Sequence, residues 1–316
     1  MDRLRYRFPN ELPVSAKGSF KAVELGEVTS GFILANSLGD EVYLFEPNES
    51  LTSHAKSNIE LPPCLDKETY LDHGKRFLQA IIDKGLSKAV LSRVKAVDIS
   101  IGIDELFDRL EKAYPAAFVY MVESNHLGIW VGASPEQLLT CEGEQCTTIS
   151  LAGTLPVTSG TWSDKEKREQ ADVTAFIETL MRSFDISYQV SVAKEVQAGP
   201  VRHLMSSFTF QLPAEKRNLF IQQVHPTPAV VGMPKAEALQ LIRQTESHQR
   251  LLYSGYIGIV SNEKTALYVN LRCAQLIDST LYCYVGGGYN SQSIPVQEWE
   301  ETENKADTLI KTLQNK

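Results

Sequence analysis

Apolar residues recur with two different periods along the chain, and each period predicts its own kind of element. The run KAVLSRVKAVDI at 88–99 alternates and is rich in β-branched residues, which predicts a strand. Apolar residues spaced three and four apart over 67–84 predict a helix that ends at Gly85, and a shorter helix is predicted around 103–112. Further alternating runs predict strands: GFILANS, EVYLFEP, AFVYMVES, GIWVGAS, RHLMSSFTFQL, ALYVNLRCAQLI and LYCYVGGGYN.

The segment 163–184 carries the most informative helical pattern. Either Ser163 or Asp164 is a suitable N-cap for it. Glu166 and Glu169 fall on the same face as the apolar stripe that begins at Val173. A carboxylate that continues a buried stripe is costly unless a cation pairs with it. The pattern therefore favours a metal site over a solvated helix face.

A second acidic helix follows three consecutive glycines in the stretch 286–305, GGGYNSQSIPVQEWEETENK, and Pro295 suits its first turn. The candidate site residues in this stretch are Gly286, Gly287, Gly288, Glu298, Glu301 and Lys305. The glycines let backbone N–H groups approach an anion closely, and both glutamates share a helix face with the lysine. A solvated acidic helix is the more ordinary interpretation. A ligand that carries negative charge together with a divalent metal would suit the whole stretch.

Four further positions are candidates for chemistry. Lys88 lies on a buried strand face, and because burial lowers the pKa of a lysine, it suits a general base. Glu136 follows a strand break at a Ser-Pro pair among apolar neighbours, which suits a general acid with a raised pKa. Arg272 lies inside the predicted strand ALYVNLRCA, as either a structural ion pair or a carboxylate clamp. His225, beside two prolines, is either a structural residue or a ligand contact.

A turn of small residues at 151–154, LAGT, would let a ligand lie close to Gly153 and Thr154. The two glutamate pairs supply hard oxygen ligands of the kind that Mg²⁺ prefers. We therefore predict a Mg²⁺ site beside a pocket for a small polycarboxylate, in which the glycine amides, Arg272 and Lys305 receive anions.

Composition restricts the classes of function. The net charge of −8 argues against a general affinity for nucleic acid or anionic membrane. The first residues lack the apolar run of a signal peptide, and the sequence has no uninterrupted apolar stretch of membrane-spanning length. The five cysteines are odd in number and scattered, which predicts inert thiols in a reduced cytoplasm. Because no linker divides the sequence, residues 1–316 are predicted to form one domain.

Eight short motifs occur in the order seen in chorismate-utilising enzymes, the family of anthranilate synthase component I. They read KAVLSR, GASPEQLL, SLAGT, KEKREQ, HPTPAVVG, YSGYIG, LRCA and GGGYNSQSIPVQEWEETENK. They span roughly residues 65–316, and within the family the chain most resembles isochorismate synthases. The resemblance implies an α+β fold of the α/β-sandwich type, in which helices flank large, mostly antiparallel sheets. It also implies a shortened β-rich part over 1–64, chorismate as substrate, dependence on Mg²⁺, and a monomer.

In isochorismate synthases, a lysine in the KxVLSR strand activates water for attack at ring carbon C2. The glutamate of the SPE motif protonates the departing C4 hydroxyl. The resemblance gives these roles to Lys88 and Glu136. It gives metal binding to Glu169 and Glu301, with Glu166 and Glu298 alongside them, directly or through water. Arg272, Lys305 and the glycine amides would then receive the substrate carboxylates.

Isochorismate synthesis for menaquinone or siderophore precursors is the leading hypothesis from the resemblance. A salicylate synthase would go on to eliminate pyruvate, and a weakly active chorismate-binding protein is the third alternative, suggested by the shortened N-terminal part. Ala152 stands where aminodeoxychorismate synthases carry a lysine, which argues against that activity, and Lys88 favours water over ammonia as nucleophile. The chain also departs from the family pattern at Leu155–Pro156, Gln170 and Gly287.

Overall fold

The computed structural model describes residues 1–48, 59–158, 160–198 and 201–314. Within these ranges the helices are α1 Lys67–Lys84, α2 Ile103–Ala113, α3 Asp164–Ser183, α4 Ala214–Val224, α5 Lys235–Thr245 and α6 Pro295–Gln314. The first nine strands are β1 Asp2–Arg7, β2 Val14–Val23, β3 Gly31–Ala35, β4 Val42–Pro47, β5 Lys88–Asp98, β6 Phe118–Ser124, β7 Gly128–Ser134, β8 Gln137–Glu142 and β9 Gln145–Pro156. The others are β10 Tyr188–Val190, β11 Lys194–Ala198, β12 Val201–Gln211, β13 Gly232–Met233, β14 Tyr256–Val260, β15 Lys264–Val269, β16 Cys273–Ile277 and β17 Thr280–Tyr289.

Local hydrogen bonds explain why the predicted helices begin and end where they do. Asp66 caps α1 by accepting from the Thr69 N–H, and Gly85 ends it in the left-handed conformation, with φ of 64°. Ser163 caps α3 in a capping box with Glu166. The helices predicted over 67–84, around 103–112 and over 163–184 are confirmed by α1, α2 and α3.

The strands form one antiparallel ladder that runs through the described chain. One half pairs in the order β13–β5–β17–β16–β7–β6–β1, and β2–β4–β3 carries the ladder on to the other half, β14–β15–β8–β9–β12. Strands β10 and β11 both pair with β12. Side chains from the two halves share one aromatic-rich cluster, which includes Phe32, Tyr120, Trp130 and Tyr268, so the halves pack face to face.

Helices cover the outer faces of this double sheet. Helices α2 and α6 pack on β6, β7, β16 and β17 through Phe107 and Leu309. Helix α3 packs on β9 and β12 with α4 beside it, whereas α1 and α5 pack on β5. Residues of these helices, such as Phe77, Ile177 and Phe220, belong to one buried cluster. The predicted α+β sandwich of mostly antiparallel sheets flanked by helices is therefore confirmed. Within the described ranges, none of the helices has the length and apolar character needed to span a membrane.

The cysteines differ from the prediction that all five are unpaired thiols. Cys141 and Cys146 form a disulfide, whereas Cys64, Cys273 and Cys283 are free. The reason is the hairpin of β8 and β9, whose antiparallel register places Cys141 directly opposite Cys146 with 4.1 Å between their Cα atoms. Spacing along the sequence does not reveal this register.

Candidate active site

A cavity opens where β5, β9 and β17 meet α3 and α6. Its polar lining residues are Lys88, Glu136, Thr154, Glu169, His203, Tyr253, Arg272, Tyr284, Glu301 and Lys305. Its other lining residues include Val90, Gly153, Val230, Gly286 and Gly288. The cavity is therefore lined by residues from most of the motifs identified in the sequence. It is the candidate active site.

The three glycines of β17 leave room for functional side chains that pack against the strand. A Cβ atom added to any of them would meet another residue at or below 3.0 Å, which is too close for an ordinary contact. The nearest atoms are the Tyr253 hydroxyl at 2.8 Å for Gly286, Glu298 Oε2 at 3.0 Å for Gly287, and Lys88 Cε at 2.6 Å for Gly288. The triplet therefore lets these side chains approach the strand closely, and all three glycines lie inside β17.

The strand register turns the backbone amides of Gly286 and Gly288 away from β5. Gly286 faces Ser92, whose own N–H donates to Glu246 over 2.7 Å and so does not bond the glycine. From the outer edge Lys305 donates to the Gly286 carbonyl over 2.7 Å. Gly288, two residues further along, has the same orientation as Gly286. Gly286 and Gly288 line the cavity, whereas Gly287 faces Glu298 and is not among the lining residues.

Lys88 begins β5 and is almost fully buried, with 5% of its surface exposed. Its chain lies over Gly288, and its Nζ is 3.7 Å from Glu169 Oε2. The β5 prediction is confirmed, and it puts the amine at the wall of the cavity.

Glu136 lies between β7 and β8, after the predicted break at Pro135. Burial raises the pKa of its carboxyl group to about 7, although Lys88, Lys305 and Arg272 each act in the opposite direction. A substantial fraction of Glu136 is therefore protonated at neutral pH, so it can donate a proton within the cavity.

Arg272 lies in the short break between β15 and β16, and the prediction that it sits inside a strand is wrong. Its φ of 49° is in the left-handed region, which turns the side chain into the cavity and disfavours any residue with a Cβ. The guanidinium is buried, which lowers its pKa, and its Nη1 has no hydrogen-bond partner within the described part of the chain. A buried cation with an unused donor is suited to receive a carboxylate.

His203 is a cavity residue that the sequence reasoning missed. Burial, and then the positive charges of Arg272 and Lys305, lower the pKa of its imidazole to about 3, so it is neutral. Its Nδ1 is 3.0 Å from the Gly153 carbonyl, which requires the proton on Nδ1, and its Nε2 faces Arg272 Nη2 over 3.4 Å. A histidine in an alternating strand carries little signal of this role.

Gly153 and Thr154 reach the cavity because β9 is irregular there. Thr154 pairs with His203 and Ala152 pairs with Leu204, so Gly153 is an extra residue in the ladder. Its φ of 68° and the backbone of Glu166, 3.1 Å from an added Cβ, both demand glycine. This bulge turns the end of β9 towards the cavity.

Three glutamates from α3 and α6 form what we call the carboxylate cluster: Glu169 and Glu298, which are buried, and Glu301, which is partly buried. Each carboxylate faces its own lysine: Lys88 Nζ is 3.7 Å from Glu169, Lys165 Nζ is 2.6 Å from Glu298, and Lys305 Nζ is 2.7 Å from Glu301. Burial, and then the charge of Glu301, raise the pKa of Glu298. Burial also opposes ionisation of Glu301, but Lys305 outweighs it and the pKa of Glu301 is lowered.

Glu166, the fourth predicted metal ligand, is engaged elsewhere. Its Oε2 accepts hydrogen bonds from the backbone N–H and the hydroxyl of Ser163, over 2.9 and 2.6 Å. Glu166 is not among the residues that line the cavity, and neither is Glu298, whose Oε1 is held by Lys165 and Ser293. The structure thus brings Glu169 and Glu301 to the cavity and leaves the other two beside it.

The carboxylate cluster fits Mg²⁺ in its chemistry. It offers hard oxygen donors, and Glu298 Oε2 is buried without a hydrogen-bond partner within the described residues. The glutamates also repel each other, which a cation would relieve. Over the same described ranges, no three His, Cys, Asp or Glu side chains are already grouped to hold a metal ion. The glutamates therefore fit the ion chemically. In this structure, lysine side chains lie against the carboxylate oxygens that would bind it.

His225 does not reach the cavity, so the structure does not bring it to the site as a substrate contact. It is buried with its Nε2 3.2 Å from the Ser37 carbonyl and its ring edge against Tyr256. Burial lowers the pKa of its imidazole to about 3. His225 is therefore a neutral structural residue, which was the alternative interpretation of its position beside two prolines.

Comparison with known proteins identifies matches along nearly the whole chain. Residues 34–314 match the family model described as chorismate binding enzyme. Isochorismate synthase EntC of Escherichia coli (strain K12) is 30% identical over 241 residues, covering 71% of this chain and 62% of EntC. The chain thus spans about three fifths of the length of this curated relative.

Solved structures resemble the chain over its whole length. A Bacillus anthracis protein named as the 2,3-dihydroxybenzoate-specific isochorismate synthase DhbC has a TM-score of 0.83 and 25% identity, covering 99% of this chain and 96% of its own. MenF, the menaquinone-specific isochorismate synthase from Escherichia coli, has a TM-score of 0.83 at 19% identity, covering 99% of this chain and 89% of its own. At that identity the MenF likeness concerns the fold alone.

Proposed function

The chain belongs to the chorismate-binding enzyme family, and on that premise we propose that it is an isochorismate synthase. In the proposed reaction, water adds at ring carbon C2 of chorismate and the hydroxyl at C4 departs. One observation carries the proposal: a buried lysine and a buried, readily protonated glutamate, Lys88 and Glu136, line one cavity together with cations suited to a dicarboxylate. Relatives named for both menaquinone and siderophore pathways match the chain, so the proposal concerns the isochorismate-forming step.

Arg272 and Lys305 receive the substrate carboxylates in this proposal. Arg272 contributes an Nη1 donor without a partner in the described chain, on a guanidinium held by His203. Lys305 lies at the strand edge, where the Gly286 and Gly288 amides are turned outwards. Two separated cationic positions orient a rigid dicarboxylate ring, so that C2 and C4 face fixed side chains.

Lys88 acts as the general base, and Glu136 acts as the general acid. Lys88 takes a proton from the attacking water, and the protonated Glu136 gives a proton to the departing hydroxyl. The pKa of about 7 for Glu136 supports this assignment, because the acid is available near neutral pH. Burial of both groups keeps bulk water from competing with the single attacking water.

The carboxylate cluster would hold Mg²⁺, with Glu169 and Glu301 as the cavity-lining ligands and Glu298 beside them. When bound, the ion supplies charge neutralisation for a substrate carboxylate. A dication adds two positive charges beside the glutamates and their lysines, and a dianionic substrate balances those two charges. We therefore expect the metal and the substrate to bind cooperatively.

The decisive experiment incubates purified protein with chorismate and Mg²⁺, with an EDTA control, and identifies products by NMR. Isochorismate in equilibrium with chorismate, without pyruvate, is the expected result. Salicylate with pyruvate would assign the chain as a salicylate synthase, and saturable binding without product would make it a chorismate-binding protein. In the same assay Lys88→Ala should abolish turnover while chorismate still binds, and full activity of that variant would refute the base assignment.

A further inference from the structure

Lys165 occupies an unusual place for a cation. It lies in the first turn of α3, where the helix dipole disfavours positive charge. Its Nζ is 2.6 Å from Glu298 Oε1, and the Glu298 side chain is only 1% exposed. Glu298, together with Glu169 and Glu301, therefore compensates for the unfavourable position of Lys165.

Each glutamate of the carboxylate cluster has one lysine beside it, and Lys165 differs from the other two lysines in its position. Lys88 and Lys305 line the cavity and have roles towards the substrate, whereas Lys165 does not line it. A divalent cation adds two positive charges to those of the lysines, an excess that lasts until the substrate arrives. Lys165 is the lysine that can relieve this excess, because its side chain is 21% exposed and can swing into solvent.

The ion pair with Lys165 satisfies only one of the two carboxylate oxygens of Glu298. Its Oε1 accepts from Lys165 and from the Ser293 hydroxyl, while its Oε2 has no partner in the described residues. Lys165 thus satisfies one oxygen of the buried Glu298 carboxylate. It contributes a single positive charge to a group of three glutamates that repel each other. The arrangement is stable without a metal and is improved by an ion of higher charge.

We propose that Lys165 is the resident counter-ion of the carboxylate cluster, which a divalent cation must displace from Glu298 on binding. The inference rests on the metal site of the proposed function and deepens it. Lys165 stabilises the metal-free protein and lowers its affinity for the metal. Lys165 of α3 therefore competes with the metal ion for Glu298.

The test measures metal affinity directly, without substrate, by calorimetric titration with Mg²⁺ and by electron paramagnetic resonance with Mn²⁺. Lys165→Met should bind either ion at least about tenfold more tightly than the wild type, because repulsion of the ion by a nearby cation is removed. Metal-free Lys165→Met should also melt at a lower temperature, because Glu298 is left buried and unpaired. Lys167→Met, an exposed change two residues away on the same helix, is the matched control and should alter neither quantity.

Lys165→Arg provides the second variant if Lys165→Met fails to fold. Arginine keeps the charge and can bridge a carboxylate with two hydrogen bonds, so it should be harder to displace and should weaken metal binding. Unchanged or weaker affinity in Lys165→Met, or unchanged affinity in Lys165→Arg, would overturn the proposal. A wild-type protein that binds neither ion, even with chorismate present, would instead overturn the metal assignment on which the proposal rests.

Discussion

Helices α3 and α6 have the same spacing of glutamates, but the glutamates of the two helices make different contacts. Helices α3 and α6 each present two glutamates three residues apart on a face turned inwards. In α3, Glu166 closes the helix cap with Ser163, and only Glu169 reaches the cavity. In α6, Glu301 reaches the cavity, and Glu298 is held beside it by Lys165.

The difference follows from where each first glutamate lies relative to its helix start. Glu166 is three residues after the capping Ser163, the spacing at which a glutamate reaches back to the cap. Glu298 also meets an upstream serine, but Ser293 is five residues away and leaves Oε2 without a partner in the described chain. Equal spacing of carboxylates therefore does not make them equivalent ligands, because capping competes for one of them.

Removing the cavity-lining carboxylate of either helix should have the largest effect. Glu301→Gln and Glu169→Gln keep the shape and remove the charge, so each should lower kcat/KM by about 1,000-fold or more, as several kcal/mol of charge stabilisation depend on the metal. Product formation and Mg²⁺ titration measure this. Near-normal activity in either variant would mean that the two helices do not share a metal.

Glu136 differs from the glutamates of both helices, because it is a buried carboxyl group at a strand break. Within the described residues no lysine lies at hydrogen-bonding distance from its carboxyl group. Its protonated form is required, so kcat/KM should fall about tenfold per pH unit above about 7. Since its folded-state pKa exceeds its ordinary 4.5, the free energy of unfolding should decrease as pH rises from about 4.5 to about 7. Glu136→Gln should remove both dependences, which rate profiles and denaturation curves at several pH values can check.

Glu298→Gln should have an intermediate effect. It leaves the cavity-lining ligands in place but removes the neighbouring charge, so metal affinity should fall by about 10–100-fold. Calorimetric titration against the wild type measures the change. An effect as large as that of Glu301→Gln would give Glu298 equal rank as a ligand and would weaken the contrast within α6.

Glu166→Gln should have the smallest effect on the site. Glutamine can still accept the Ser163 N–H hydrogen bond of the capping box, so the free energy of unfolding should fall by less than about 1 kcal/mol while metal affinity stays unchanged. Ser163→Ala removes the same cap from the other side and is the matched control for stability. If Glu166→Gln lowers metal affinity while Ser163→Ala does not, Glu166 contributes to the metal site and the contrast between the helices fails.

Local patterns in the sequence are enough to predict several secondary-structure elements and several functional residues on them. Alternation and helical spacing identified β5, α1 and α3 because these patterns follow from which side of an element faces the core. Lys88 and Glu136 could be singled out because a charged residue on an apolar face or beside a strand break conflicts with its surroundings. Glu169 could be identified for the same reason, because it is a charged residue on the buried apolar stripe of α3.

How distant segments of the chain meet depends on the complete fold and could not be predicted from local patterns. His203 faces Gly153 because of a bulge in the pairing of β9 with β12, and Cys141 faces Cys146 because of a hairpin register. Arg272 itself adopts the left-handed conformation and so interrupts the strand pattern. His225 contacts the Ser37 carbonyl and lies away from the cavity. These outcomes depend on contacts between residues far apart in sequence, which local periodicity does not encode.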